Sequence, residues 1–300
     1  MMRRKQNAIL QFVLTGLVLL TTTPAFSLLP NEATQAQVTF AVIGDSGTGK
    51  AGQYAVARQM KAMCDKNRFE FVLMLGDNIY ANGSAKHFKK KFELPYAPLL
   101  NDGVKFYASL GNHDVRKGLS AQINYDKFNM GGRRYYSFLK GGVEFFALDS
   151  TKMDAAQLAW LEVNLQASTA HWKVAFFHHP LYSSGKRHGS EMKLRAALEP
   201  LFTRFGVQVV FSGHDHFYER IQPQQGIQYF VEGASGQLRK NGMKKKSELT
   251  AASNDATHSF LLVQVKAAEM QVEAIGEDSA VLDRVTISQP PSAASKAIAR

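Results

Sequence analysis

Short runs rich in Val and Phe recur along the chain, and each ends abruptly in Gly or His followed by polar residues. "VTFAVI" (38–43) runs into "GDSG", "FEFVLML" (69–75) into "GDNIY", and "VKFYASL" (104–110) into "GNHD". "WKVAFF" (172–177) leads to "HHP", and "VQVVFS" (207–212) to "GHDH". Unbroken apolar runs of this length predict strands buried on both faces. Between them, "YAVARQMKAMC" (54–64), "DAAQLAWLEVNLQ" (154–166) and "EMKLRAALEPLFTRF" (191–205) repeat apolar residues at helical spacing. Strand and helix in alternation predict a largely parallel sheet, whose ligand sites gather at the carboxyl ends of its strands. All five polar clusters occupy such ends and are expected to converge.

After "GHDH" the pattern changes. "GIQYFVEGASG" (226–236), "HSFLLVQVKAAEMQVEAIG" (258–276) and "VLDRVTIS" (281–288) are alternating or β-branched runs separated by Gly. They predict an antiparallel meander forming a second sheet packed on the first. No repeat of solenoid length and no interior linker interrupts the pattern.

The first cluster admits two chemistries. "GDSGTGKAG" (44–52) matches G-x-x-x-x-G-K, a phosphate-binding loop centred on Lys50, and it also sets Asp45 at a strand end as a metal-binding carboxylate. A phosphate loop needs Ser or Thr after the Lys to hold magnesium, and Ala51 stands there. The carboxylate reading also draws in the other clusters. Pooled, they offer Asp45, Asp77, Tyr80, Asn112, His113, His178, His214 and His216. Oxygen and imidazole donors without thiolate suit a hard or borderline metal. They are too many for one ion and enough for two ions about 3.5–4 Å apart that share a carboxylate.

The blocks G-D-x-G, G-D-x-x-Y, G-N-H-D, a His after a strand and G-H-x-H, in that order, resemble the metallophosphoesterase superfamily, and more narrowly the purple acid phosphatases. "QLAWLEVNL", "SGHDHFYER" and "YFVEGASG" are similar to that family's flanking sequence, so the resemblance runs from about residue 38 to residue 287. It implies an α/β fold, a four-layer αββα sandwich of two mixed β-sheets flanked by helices. It also implies a first metal on Asp45, Tyr80 and His216, a second on Asn112, His178 and His214, and Asp77 bridging them. A phenol with an ordinary pKa near 10 suits ferric iron better than a divalent ion. Tyr80 therefore points to Fe(III) at the first site, with Fe(II), Zn(II) or Mn(II) at the second.

The implied reaction is hydrolysis of phosphate monoesters by attack of a metal-bound hydroxide on phosphorus, best at acidic pH. His113 is the first candidate to protonate the leaving oxygen, with Asp114 orienting its ring, and His188 in "SSGKRHGS" is the second. A phosphodiesterase or nucleotide hydrolase using the same metals is the alternative. A binding protein without turnover would normally have lost a ligand or His113, and none is missing. His179 and Asp149 are expected to be structural, and Asp215 to face away from its His neighbours in a turn. Arg134, Tyr135 and Tyr136 in "GGRRYY" are candidates for lining the cleft.

The ends carry other signals. "MMRRKQ" and "AILQFVLTGLVLL" pair a basic segment with an apolar one too short to span a membrane, and "TPAFS" supplies small residues for cleavage after Ser27, with Ala36 offering a later point. Residues 1–27 thus predict a signal peptide and an exported protein, periplasmic or secreted, with no membrane span once mature. "SQPPSAASKAIAR" predicts a flexible tail over 288–300. One cysteine, Cys64, excludes an internal disulfide and is expected to be buried. The net charge of +11 favours anionic ligands. The expected partner is a small phosphate ester, with no nucleic acid as a stable partner. The runs Lys89, Lys90, Lys91 and Lys244, Lys245, Lys246 are expected to be solvated faces.

Overall fold

Each of the five apolar runs forms a strand in a computed structural model of the protein, which describes residues 37–244 and 247–289. The expected signal peptide and residues 290–300 of the expected tail lie outside the described residues. In chain order, β1 (Gln37–Ile43), β2 (Phe71–Met74) and β3 (Lys105–Ala108) lie parallel in one sheet, with helix α1 (Ala51–Asn67) crossing from β1 to β2. Short helices α2 (Ala97–Asn101) and α3 (Leu119–Ile123) flank β3 in sequence.

The chain then builds a second sheet. β4 (Tyr136–Lys140) and β5 (Val143–Ala147) form a hairpin closed by Gly141 and Gly142, whose φ of 53° and 78° suit the tight turn that joins twisted strands. Helix α4 (Ala155–Ala167) leads to β6 (Trp172–Phe177), and helix α5 (Met192–Phe205) to β7 (Val209–Ser212). Asp154 caps α4 by accepting from the Gln157 amide at 3.0 Å. β8 (Tyr218–Ile221), β9 (Gln228–Glu232) and β10 (Thr250–Asn254) complete a seven-stranded sheet of order β10-β8-β9-β7-β6-β5-β4.

The final strands depart from expectation. β11 (Ser259–Lys266), β12 (Glu269–Gly276) and β13 (Val281–Ser288) do form a meander, but it extends the first sheet, giving β13-β12-β11-β1-β2-β3. β11 pairs antiparallel with the free edge of β1, and most of it is buried. β9, expected in the meander, instead lies parallel to β7. Its five residues are all buried, the signature of a central strand rather than an alternating one.

Burial on both faces follows a period of two. In β6, Trp172, Val174 and Phe176 face the space between the sheets, while Ala175 and Phe177 face α4 and α5 beside Leu161, Leu165, Leu198 and Phe202. α1 covers the first sheet with Val56, Met60 and the buried Cys64. The layers are therefore helix, sheet, sheet, helix, as the αββα resemblance implied. No described helix is long and apolar enough to cross a membrane.

Phe40 joins the layers. Its ring stacks on Phe71 in its own sheet at 5.2 Å and meets Phe145 of the facing sheet edge-on at 5.1 Å. Truncation there leaves a cavity that neither sheet can close without moving. Phe40→Ala is expected to lower unfolding free energy by about 3–5 kcal/mol in a denaturant titration, and a loss well under 1 kcal/mol would show that this seam is not a tightly packed core.

Candidate metal centre

β1, β2, β3, β6 and β7 end on one side of the molecule, and each hands its next residues to a common cleft. Asp45, Asp77 and His214 leave their strands with φ of 53°, 49° and 71°, the left-handed region that side chains other than Gly rarely adopt. That turn aims three side chains back over the strand ends. Two neighbouring glycines make room for them. A Cβ at Gly111 would lie 2.3 Å from Asp77 Oδ1, and one at Gly213 would lie 2.6 Å from Asp45 Oδ2.

The predicted residues meet in two groups. The Tyr80 hydroxyl donates to Asp45 Oδ1 at 2.7 Å, and His216 Nε2 lies 3.2 Å from that hydroxyl and 3.3 Å from the same carboxylate oxygen. In the other group, His178 Nε2 lies 3.1 Å from Asn112 Oδ1 and 3.0 Å from His214 Nδ1. Asp77 stands between them, with Oδ1 at 3.7 Å from His178 Nε2 and its carboxylate close enough to Asp45 and Tyr80 to interact with both. The groups are laced together. The His214 amide donates to Asp45 Oδ2 at 2.7 Å, and the His113 amide to Asp77 Oδ1 at 2.8 Å.

Comparison with known proteins places this arrangement. The Calcineurin-like phosphoesterase family matches residues 38–218, more than half of the chain. Purple acid phosphatase 17 of Arabidopsis thaliana is 31% identical over 232 residues, 66% of this chain and 68% of that protein. Tartrate-resistant acid phosphatase type 5 of Homo sapiens is 26% identical over 292 residues, 82% of this chain and 90% of that protein. The chain belongs to the purple acid phosphatase family of calcineurin-like phosphoesterases. A solved purple acid phosphatase, PPD1 from yellow lupin (Lupinus luteus) seeds, shares the fold with a TM-score of 0.72. It is 18% identical, over 86% of this chain and 55% of that one.

The centre of a purple acid phosphatase must hold two cations, and the chemistry of this donor set fits them. Asp45, Asp77 and Tyr80 are buried together, and among the described residues no Lys or Arg side chain forms an ion pair with either carboxylate. Burial, then the Asp45 and Asp114 carboxylates, drive Asp77 well above the usual carboxylate range. Burial, then Asp45 and Asp77, push Tyr80 well above an ordinary phenol. Burial followed by the neighbouring imidazoles drives His178 far down, and His214 to about 2. Acid oxygens crowded beside neutral imidazoles are what a bound metal ion stabilises, since its charge reverses this electrostatic logic.

His113 and His188 face the same cleft. His113 Nδ1 lies 2.6 Å from the Ala81 carbonyl, which can only accept, so Nδ1 carries a proton and Nε2 points inward, 3.9 Å from Asp77 Oδ2. Asp114 does not touch that ring. It accepts instead from the amides of Gly111, Asn78 and Ile79 and from Gln122 Nε2, at 2.7–3.1 Å, and so braces the loops bearing Asp77 and Asn112. The expected orientation of His113 comes from Ala81 because the carboxylate is turned into the core. The His188 ring lies 4.0 Å from that of His214. Its loop is held from below. Asp215 Oδ2 accepts from Ser183 Oγ at 2.6 Å and the Gly189 amide at 3.1 Å, and Glu219 accepts from the amide and hydroxyl of Ser184.

Other expectations changed. Arg134 is paired with buried Asp149 at 2.5 Å, Tyr136 is buried with its hydroxyl on the Ala108 carbonyl, and Tyr135 packs on Trp160; none lines the cleft. Lys91 does, with its amine on the Tyr80 carbonyl, whereas Lys89 and Lys90 are exposed as expected. His179 is held by Ser150 Oγ at 2.9 Å.

Glu232, at the end of β9, carried no signal in the sequence. It is fully buried and accepts from Ser259 Oγ, Ser235 Oγ and the Ala234 amide, while Ser235 Oγ accepts from the amide of Gly44, next to Asp45. Burial raises its carboxyl to about 8. A carboxyl held protonated in the fold adds stability that is complete below its unfolded pKa, near 4.5, and is lost as pH rises through about 8. Glu232→Gln should therefore flatten the fall in unfolding free energy between those values, a difference of a few kcal/mol. Parallel slopes for the two proteins in denaturant titrations across that range would refute the assignment.

Proposed function

We propose that the protein is an exported acid phosphatase that hydrolyses phosphate monoesters at a dinuclear metal centre. The observation carrying this reading is the meeting of two donor groups, one holding Asp45, Tyr80 and His216 and the other Asn112, His178 and His214, with Asp77 between them. Asp45, Tyr80 and His216 would hold the first ion, Asn112, His178 and His214 the second, and Asp77 both. The phenol of Tyr80 favours Fe(III) in the first position, and Fe(II), Zn(II) or Mn(II) suits the second. Export rests on the leader pattern of residues 1–27.

Bound cations would supply a nucleophile from water near neutral pH and neutralise charge on the phosphoryl oxygens. The remaining work falls to the chain. His178 Nδ1 lies 2.9 Å from the Leu75 carbonyl, which fixes the ring and leaves Nε2 facing the site. His113, fixed through Nδ1 by Ala81, presents Nε2 toward the cleft, where its protonated form would donate to the departing ester oxygen. Burial lowers the pKa of this ring, the bond to Ala81 partly offsets it and Arg116 lowers it again, so acid favours the donor form. His188 is lowered by burial in the same way and stands across the cleft as a second donor or a contact to the phosphoryl group.

The first test is turnover of a chromogenic phosphate monoester against the matching diester by leader-free protein with its metals intact. The monoester is expected to be favoured by at least about tenfold in kcat/KM, or ~1.4 kcal/mol of transition-state discrimination. Preference for the diester would move the protein to the phosphodiesterase reading with the same metal site. The ferric assignment is tested by colour. The holoprotein should absorb visible light, and Tyr80→Phe should abolish that band while circular dichroism stays unchanged. A colourless, iron-free and fully active protein would overturn it.

A further inference from the structure

The cleft over the centre has a volume of about 630 Å³ and is lined by Lys50, Lys91, Arg116, Arg187 and Arg239, with Asp77 as the one acidic lining residue among those described. These five cations come from five separate segments of the chain. Lys50 precedes α1, and Lys91 lies near enough to feel its charge. Arg116 follows the loop after β3 and reaches the Ala81 carbonyl at 3.5 Å, beside His113. Arg187 and Arg239 flank His188 from two loops stitched together by the Lys186 and Lys244 amides, which donate to Gly242 and Ser184 carbonyls at 2.9 Å each.

None of the five forms an ion pair with a carboxylate among the described residues, although the chain's other Lys and Arg side chains form several. Like charges gathered around one cleft repel one another, and beyond the carbonyl contacts of Lys91 and Arg116 the described residues offer them no paired carboxylate, so an anion from outside is what they suit. A single phosphoryl group does not account for them. Its charge would be met by the ions held at Asp45, Asp77 and their neighbours, while these side chains add five further positive charges to the lining of the same cleft.

We propose that the cleft selects small phosphate monoesters that carry at least one further phosphate group, with Lys50, Lys91, Arg116, Arg187 and Arg239 as the subsite for the group that is not cleaved. This deepens, and rests on, the phosphatase reading. The volume is that of a typical small-molecule site and holds a phosphorylated sugar or nucleotide. Arg187 and Arg239, as planar forks, suit phosphate oxygens in a way that a dispersed surface charge does not. A nucleic-acid chain is a poorer fit, since its phosphates are internal diesters and a monoester site can address only its ends.

The test uses the metal-loaded protein with two alkyl phosphates that differ by one phosphate group, fructose 6-phosphate and fructose 1,6-bisphosphate. The bisphosphate is expected to be favoured about tenfold in kcat/KM, mainly through KM, with the preference shrinking as salt is raised. The paired substitution Arg187→Gln with Arg239→Gln should cut that ratio about fivefold or more, whatever it does to either substrate alone. Equal kcat/KM for the two sugars, or a ratio unmoved by the paired substitution and by Lys50→Gln, would overturn the subsite. Calorimetric binding of the same two sugars separates this outcome from failure of the phosphatase reading. If neither is hydrolysed but the bisphosphate binds about tenfold more tightly, the subsite stands and the reaction is wrong. Equal binding removes the subsite even if both are cleaved, and tighter binding of a single-stranded oligonucleotide than of the bisphosphate replaces it with a nucleic-acid surface.

Discussion

The crowding of acid oxygens at the strand ends governs this structure. Asp45, Asp77 and Tyr80 are buried against one another, Asp77 and Tyr80 are forced toward their neutral forms, and among the described residues no Lys or Arg forms an ion pair with either carboxylate. Such a cluster is costly in a protein that needs only to fold, because each buried carboxylate raises the others. It becomes favourable when positive charge enters the middle. The surrounding imidazoles, held neutral by burial, complete a donor set that is complementary to cations and to little else.

Holding that cluster requires strain and bracing. Three residues of the donor set, Asp45, Asp77 and His214, sit at positive φ, where a non-Gly backbone costs of order 1 kcal/mol, and persist only because their surroundings over-determine them. The bracing is done by a second set of buried carboxyl groups that face away from the cleft. Asp114 gathers four donors under the β2 and β3 loops, Glu232 secures the loop of Asp45 through Ser235, and Asp215 with Glu219 fixes the loop of His188. Asp215 thereby gives a physical reason for the middle residue of "HDH": its neighbours face the cleft and it faces the scaffold.

These two layers differed in how far the sequence exposed them. The inner residues could be read because metal chemistry demands particular side chains, and parallel topology places them after strands, so five short blocks suffice. The braces could not, because they work through partners far along the chain, as Asp114 does with Asn78, 36 residues away, Asp215 with Ser183, 32 away, and Ser235 with Gly44, 191 away. The basic lining was hidden for another reason, since Lys91 in a Lys run looks like any solvated face until the Tyr80 carbonyl is seen beside its amine. Strand existence was legible, and so was the presence of two sheets, although the five apolar runs expected in one parallel sheet divide three and two between them. The sheet to which the last strands belong was not, because pairing of β11 with β1 depends on which edge is free rather than on the pattern of either strand.

Neither donor group belongs to one sheet. Asp45 and Tyr80 follow β1 and β2 while His216 follows β7 of the other sheet; Asn112 follows β3 while His178 and His214 follow β6 and β7. Each ion held by these groups would therefore tie the sheets together, and their spacing is set below by Phe40, Phe71 and Phe145. Ligands that bind only the folded state add their binding free energy to its stability. The seam and the centre are thus thermodynamically coupled. A looser aromatic core would weaken metal binding without touching a donor, and bound metal would strengthen a core it never contacts.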